Sequence, residues 1–201
     1  MDRVELIDHV MVNHQLEKGV EVGSFKGDYA VDILKKWDGH LFMVDVWTGL
    51  GEEYNDANNH NRFENPIYVD CVRNVERFGF RATMIRTTSE IGSELFADNS
   101  IDFVYIDANH AYDFVKQDIS LWYPKVKPGG FLMGHDYLAI DWDNDTEFEV
   151  DENGKDKHIY NEYGYCGSFG VNPAVDEFCQ ASGHNLKITD EPFWGSWYIQ
   201  K

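Results

Sequence analysis

Residues 19–37 read GVEVGSFKGDYAVDILKKW. Val20 and Val22 alternate with Glu21, as at the end of a buried strand, and Gly23 breaks the pattern. Gly27 follows four residues on, and Asp28 opens a helical repeat that puts Ala30, Val31, Leu34 and Trp37 on one face, with Gly39 as its stop. A strand, a glycine turn and a helix with its N-terminus at the turn form a cradle for a small molecule. Glycine lets a ligand lie against the backbone, and the first helical turn leaves N–H groups unpaired.

The residues also narrow what the cradle holds. The fingerprint G-x-G-x-x-G is absent, and Glu21 and Asp28 would both repel a pyrophosphate. They suit a ligand with a positive charge beside its carboxylate. Farther on, the apolar run LFMVDVW (residues 41–47) is interrupted by Asp45, placed to grip a ribose diol, with Val46 beside it. An adenosine-like ribose carrying a cationic amino-acid tail is S-adenosylmethionine.

With EVGSFKG and VDVW stand two further motifs, YIDANHAY (residues 105–112) and KPGGFLMGHDY (residues 127–137). In this order and spacing the chain resembles the class I S-adenosylmethionine-dependent methyltransferases. It is most similar to the small metal-dependent O-methyltransferases of the macrocin and sugar-methylating type. The likeness runs from about Gly19 to Lys201, apart from two inserted loops. It implies a Rossmann-like α/β fold with a seven-stranded, mostly parallel sheet, an antiparallel last strand and helices on both faces. It further implies cofactor contacts at Glu21, Gly23, Ser24, Phe25, Gly27, Asp45, Val46 and Asp107, with Thr88 and Ser89 at the adenine edge.

The chain's 201 residues suit one domain. We expect an N-terminal helix within 1–18 and substrate loops at 49–65 and 138–167. Acids outnumber bases 36 to 17, a net charge of −19, which argues against nucleic acid or an anionic membrane as partner. No apolar run reaches membrane-spanning length, and the N-terminus is too polar for a signal peptide. Cys71, Cys166 and Cys179 are odd in number and widely spaced, which fits a reducing cytoplasm better than a disulfide framework. Oligomeric state leaves no signature.

Along the chain, Val4, Ile7, Val10 and Met11 mark one face of a short helix, read as packing rather than a lid. The segment 49–65 is polar and irregular and reads as a substrate loop, with His60 and Arg62 inside it. A helix over 66–78 presents Val69, Val72, Val75 and Phe78. ATMIRTTSEIGSEL gives a strand, a turn and a short helix for which Ser89 is the expected cap. IDFVYI is a buried strand ending in Asp107-Ala108-Asn109-His110. A helix follows over 112–122, and Pro128-Gly129-Gly130 turns into a strand ending in His135-Asp136-Tyr137. Strand–helix alternation implies right-handed crossovers, a parallel sheet and ligands at its carboxyl edge. The acidic run 141–156 partly mimics a calcium loop, but Thr146 stands where that loop needs glycine. A hairpin of TEFEV and KHIY turning at Asn153-Gly154 is the better reading. Asn172 is the expected cap of the last helix, with Pro173 in its first turn. The closing strand pair is 186–189 with 196–200.

Chemistry would gather where the fourth and fifth strands end. Asp107, His135 and Asp136 supply two carboxylates and an imidazole for a divalent ion, and the imidazole shifts the choice from magnesium toward manganese. Asn109 stands where the relatives often carry a catalytic acid, and an amide accepts no proton at neutral pH. His110 can, so it is the expected general base, with Asn109 orienting the substrate or coordinating the metal. The expected activity is metal-assisted O-methylation of a small hydroxylated molecule, a sugar or glycoside. Two alternatives stay open: an aminopropyl-transferring polyamine enzyme, which the acidity would suit, and a non-catalytic S-adenosylmethionine-binding module.

Overall fold

A computed structural model describes residues 1–48, 66–138, 147–150, 157–160, 166–168, 170–191 and 194–201. Seven strands form one sheet in the order β3-β2-β1-β4-β5-β10-β9. They are β1 (Lys18–Val22), β2 (His40–Asp45), β3 (Ala82–Arg86), β4 (Ile101–Ile106), β5 (Val126–Leu138), β9 (Lys187–Ile188) and β10 (Trp194–Gln200). β1 pairs parallel with both β2 and β4, so the strand order reverses between them. That reversal opens a crevice at the carboxyl edge. β10 runs antiparallel between β5 and β9, as the resemblance implies.

Both faces of the sheet are covered, and the strands alternate between two cores. Leu41, Met43, Phe103, Tyr105, Phe131, Met133 and Tyr198 face a cluster with residues of α1 (Arg3–Leu6), α2 (Asp28–Lys36) and α3 (Pro66–Val75). Val20, Val22, Val44, Val104, Ile106, Leu132, Trp197 and Ile199 face the other way, onto α5 (Tyr112–Trp122) and α6 (Val171–Ser182). α4 (Ser89–Glu94) is a short helix after β3.

The structure corrects several local expectations. α1 opens with a capping box at Asp2 and Glu5, then widens into a π-helical turn over Ile7–Val12. There Asn13 N–H donates to the Asp8 carbonyl and Leu16 N–H to that of Met11. The buried residues are Leu6, Ile7, Val10 and Met11, whereas Val4 is exposed. α2 buries Tyr29, Ala30, Ile33, Leu34 and the following Trp37, and Val31 lies half-buried at the margin. α3 ends at Val75 and passes into a 3-10 segment, Glu76–Arg81. Its buried row is Ile67, Cys71 and Val75, four apart, and Val69 is exposed. Thr88 rather than Ser89 caps α4. Gly170 takes the N-cap of α6, two residues before the expected Asn172. Pro128-Gly129-Gly130 lies inside β5 as a bulge: Ile101 pairs with Val126, but Phe103 pairs with Phe131.

The expected hairpin forms from β6 (Glu147–Val150) and β7 (Lys157–Tyr160), antiparallel, and an unexpected third strand β8 (Cys166–Ser168) joins it. Asn153-Gly154, the calcium-like run before β6, and the loop with His60 and Arg62 lie outside the described residues. Cys71 and Cys179 are buried free thiols. Among the described residues no helix is long and apolar enough to cross a membrane.

Glycines decide how closely β1 and β4 approach. Gly23 has φ +91°, and a Cβ there would lie 2.0 Å from the Asp107 carbonyl oxygen. Gly129 has a similar φ of +82° but open space around it. We therefore expect Gly23→Ala to destabilise the protein by about 2 kcal/mol or more through strain and crowding together. Gly129→Ala, with strain alone, should cost about 1 kcal/mol. Thermal unfolding of the two variants tests that order; equal losses would remove the role given to crowding.

Candidate active site

The turn after β1 is built by its neighbours. Gly27 closes it in the left-handed region and caps α2, with its N–H donating 2.7 Å to the Ser24 carbonyl. Phe25 also has a positive φ, +47°, and its N–H donates to Asp45 Oδ2 at 2.9 Å. The other oxygen, Asp45 Oδ1, accepts from Trp47 N–H at 2.7 Å, and the Trp47 indole donates to the Phe25 carbonyl at 2.7 Å. Asp45 thus holds the turn in shape from the end of β2.

Glu21 lies beneath this turn. Its Oε2 and the Ser24 hydroxyl are both fully buried, and among the described residues neither finds a hydrogen-bond partner. Burial, with the Asp107 carboxylate adding to it, pushes the Glu21 carboxyl up to about 8. A buried carboxyl beside a buried hydroxyl describes a place for a positively charged group, which would favour the ionised carboxylate.

Beyond Gly23 the crevice becomes a cavity of about 220 Å3. Of the residues expected at the cofactor, Gly23, Asp45, Val46, Thr88 and Ser89 line it, and so does Asn109. Glu21, Ser24, Phe25, Gly27 and Asp107 are not in its wall; they lie on the turn side of Gly23. The Ser89 hydroxyl is turned away from a direct adenine contact: it donates 2.5 Å to Asp118 Oδ1 and accepts from the Trp122 indole at 2.8 Å. Asp118, on α5, was not singled out from sequence; its place in an amphipathic helix gave no signal. A larger recess of about 510 Å3 lies at the opposite, amino edge of the strands, among Met11, Trp37, Gly39, His40 and Arg81. It holds none of the groups expected to do chemistry.

The ends of β4 and β5 form the second half of the site. Asp107, His110 and Asp136 each bring one ligand atom to within 4.8 Å of the others. His110 Nε2 stands 2.6 Å from Asp136 Oδ2 and 3.7 Å from Asp107 Oδ1. His135, expected as a ligand, is not in this group of three. Its Nδ1 instead lies 2.9 Å from Asp136 Oδ1 and holds that carboxylate from behind. Although burial works against ionisation, His110 and His135 keep Asp136 well below the usual carboxylate range. Burial likewise opposes charge on His135, yet Asp136 and then Asp107 raise it. Asp136 reaches this position with φ +58°, a strained turn for a residue with a side chain. Asn109 is buried, and its Oδ1 accepts 2.8 Å from Ala111 N–H, which shapes the entry to α5. Arg3 closes the site from the N-terminal helix. Its Nη1 is 3.5 Å from Asp107 Oδ2, its guanidinium lies 4.4 Å over the Tyr29 ring, and its carbonyl accepts from the Tyr29 hydroxyl. Sequence gave no sign of this pairing, which spans more than half the chain.

Comparison with known proteins supports the fold and extends it. A family profile described as a methyltransferase domain matches residues 20–137. An uncharacterized protein, R132, of Acanthamoeba polyphaga mimivirus is 27% identical over 124 residues, 61% of this chain; the chain spans about half (52%) of that relative's length. A Staphylococcus aureus structure solved as a candidate caffeoyl-CoA O-methyltransferase superposes with a TM-score of 0.67 at 14% identity, covering 100% of this chain and 85% of that one. A Burkholderia thailandensis 1,6-didemethyltoxoflavin-N1-methyltransferase, solved with S-adenosylhomocysteine, gives 0.57 at 14% identity, over 98% and 76%. The profile match covers more than half of the residues, and the sheet order and carboxyl-edge crevice agree with it. The chain belongs to the methyltransferase-domain family and has the Rossmann-like fold of the class I S-adenosylmethionine-dependent methyltransferases.

Proposed function

We propose that the chain moves a methyl group from S-adenosylmethionine to a hydroxyl of a small molecule, a sugar or glycoside, at a site that also takes a divalent ion. One observation carries the reading: the buried polar pair of Glu21 and Ser24 and the Asp107–His110–Asp136 group meet at the same strand edge. The residues fit both groups. Glu21 and Ser24 would accept from the cofactor's ammonium, and Asp45, at the end of β2 in the cavity wall, would take the ribose hydroxyls. Asp107, His110 and Asp136 offer two carboxylates and an imidazole, a donor set suited to manganese and compatible with magnesium. Bound there, the cofactor supplies a methyl group on a positively charged sulfur, and the ion supplies the charge that makes a hydroxyl acidic near neutral pH.

The chain's own part is placement. Gly23 and the Asp45 clasp fix the cofactor turn, His135 holds Asp136, and Arg3 balances Asp107. Such positioning accounts for much of the rate of a transfer between preformed reactants. A second reading gives His110 to proton removal, and its 2.6 Å contact with Asp136 favours it, because a carboxylate partner strengthens an imidazole as base. The acceptor is a small molecule rather than nucleic acid, given the −19 charge. A reducing cytoplasm is the proposed setting.

His110→Ala should lower turnover by about 100-fold or more while cofactor affinity stays close to wild type. Unchanged turnover would take His110 out of both roles. A chelator separates them: loss of activity restored by manganese supports the ion, whereas indifference to the chelator, with a pH–rate limb missing in the variant, supports the base.

Glu21→Gln tests the cradle. A folded-state pKa raised above the unfolded one means that Glu21 favours the fold below about pH 4.3 and loses that contribution as pH rises through about 8. The Gln variant should therefore melt like wild type at about pH 4 and at higher temperature than wild type at about pH 8.5. It should also bind S-adenosylmethionine about 10-fold more weakly, having lost a charged acceptor. Unaltered affinity would remove Glu21 from the cofactor site.

A further inference from the structure

A third recess, of about 420 Å3, lies between the N-terminal segment and strands β5, β10 and β9, and it shares no residue with the carboxyl-edge cavity. We infer that it binds a small organic phosphate, the phosphate held at the rim and the organic part laid on the floor. Phe131 and Tyr198, both buried, make that floor. Tyr198 pairs with Lys187 across to β9, and Gln200 pairs with Phe131 across to β5, so all four share one face of the sheet. His9 and His14 meet them from the N-terminal segment: the His9 ring stands edge to face on Tyr198 at 5.9 Å, and the His14 ring on Phe131 at 4.8 Å. Residues five apart on an α-helix would lie about 140° from each other. The π-helical widening brings the two imidazoles to one side, through the Asp8–Asn13 and Met11–Leu16 bonds that each span five residues.

Charge singles this recess out. The chain has 36 acids against 17 bases, and the other two recesses each contain carboxylates: Asp45, Glu90 and Asp118 in one, Glu17 and Asp38 in the other. Among the described residues the lining here has none. Lys187 Nζ lies 5.7 Å from the centre of the Tyr198 ring, and no described carboxylate pairs with it. The side chains of His9, His14 and Asn185 likewise have no hydrogen-bond partner among the described residues, whereas Gln200 is anchored, its Nε2 donating 3.0 Å to the Gly129 carbonyl. An ammonium, two imidazoles and a carboxamide with open donors suit an oxyanion, and hydrogen bonds to a charged acceptor are the strong ones. The volume falls within the range of small-molecule sites, about 300–1,000 Å3, and the aromatic floor offers apolar contact to the rest of an ester.

The test follows the imidazole NMR signals of His9 and His14, assigned through His9→Gln and His14→Gln, during titration of the full chain with phenyl phosphate. Both signals should shift, with a Kd of about 1 mM or tighter. Inorganic phosphate, which lacks the ring, and benzoate, with one charge in place of two, should each bind more weakly. Lys187→Glu, at an exposed position on a short edge strand, should weaken phenyl phosphate by about 10-fold or more. Lys35→Glu makes the same change of charge on the exposed face of α2 and should leave the affinity within about 2-fold of wild type. Silence of both histidine signals overturns the assignment, and so does equal weakening by the two lysine variants, which would mean overall charge alone. Phenol moving the same signals as strongly would make the recess merely apolar and overturn it too. Tighter binding of benzoate than of phenyl phosphate overturns the choice of phosphate.

Discussion

The structure depends on how closely β1 and β4 approach each other at their carboxyl ends. Asp107 N–H donates 2.7 Å to the Val22 carbonyl, and the Asp107 carbonyl fills the space where any side chain at residue 23 would begin. That contact joins the turn after β1 to the strand end that carries Asp107, so the two halves of the candidate site share one backbone junction. Gly23 matters here less for ligand access than for letting two strands end side by side. The turn is then clasped from β2 by Asp45 and Trp47, and closed from above by Arg3.

The large pattern was legible in the sequence because it rests on periodicity. Strands buried on both faces read as continuous apolar runs, and the helices between them show their own repeat. The hairpin of β6 and β7 was visible from alternation and an Asn-Gly turn. Helix starts were less so: Thr88 and Ser89, or Gly170 and Asn172, are capable residues one or two positions apart, and the tertiary entry angle chooses between them. The buried row of α3 was misjudged because valines three apart and an Ile–Cys–Val row four apart compete in one helix. The row that meets α2 and β2 prevailed.

The site was legible as a set of residues and not as a geometry. Asp107, His110, His135 and Asp136 were all visible at two strand ends. Which imidazole meets the carboxylates depends on the left-handed turn at Asp136, and nothing local in HDY announces it. Asp118 was hidden for a related reason: a polar residue on an amphipathic helix reads as solvent-facing until the neighbouring elements are in place. Arg3 is a longer-range case still. It enters only because the π-helical widening packs Ile7, Val10 and Met11 into the core and carries the preceding turn over the strand ends.

Glu21 has one more consequence. A carboxyl pushed to about 8 holds a proton when the cradle is empty near neutrality, so Glu21 itself adds no charge to the vacant turn. A ligand bringing an ammonium would favour the carboxylate and displace that proton, one positive charge replacing another on the same side chain. Association would then release hydrogen ions to the buffer, and the apparent heat of binding would follow the buffer's own ionisation enthalpy. In such a device a single acidic side chain makes occupancy and local protonation two views of one equilibrium.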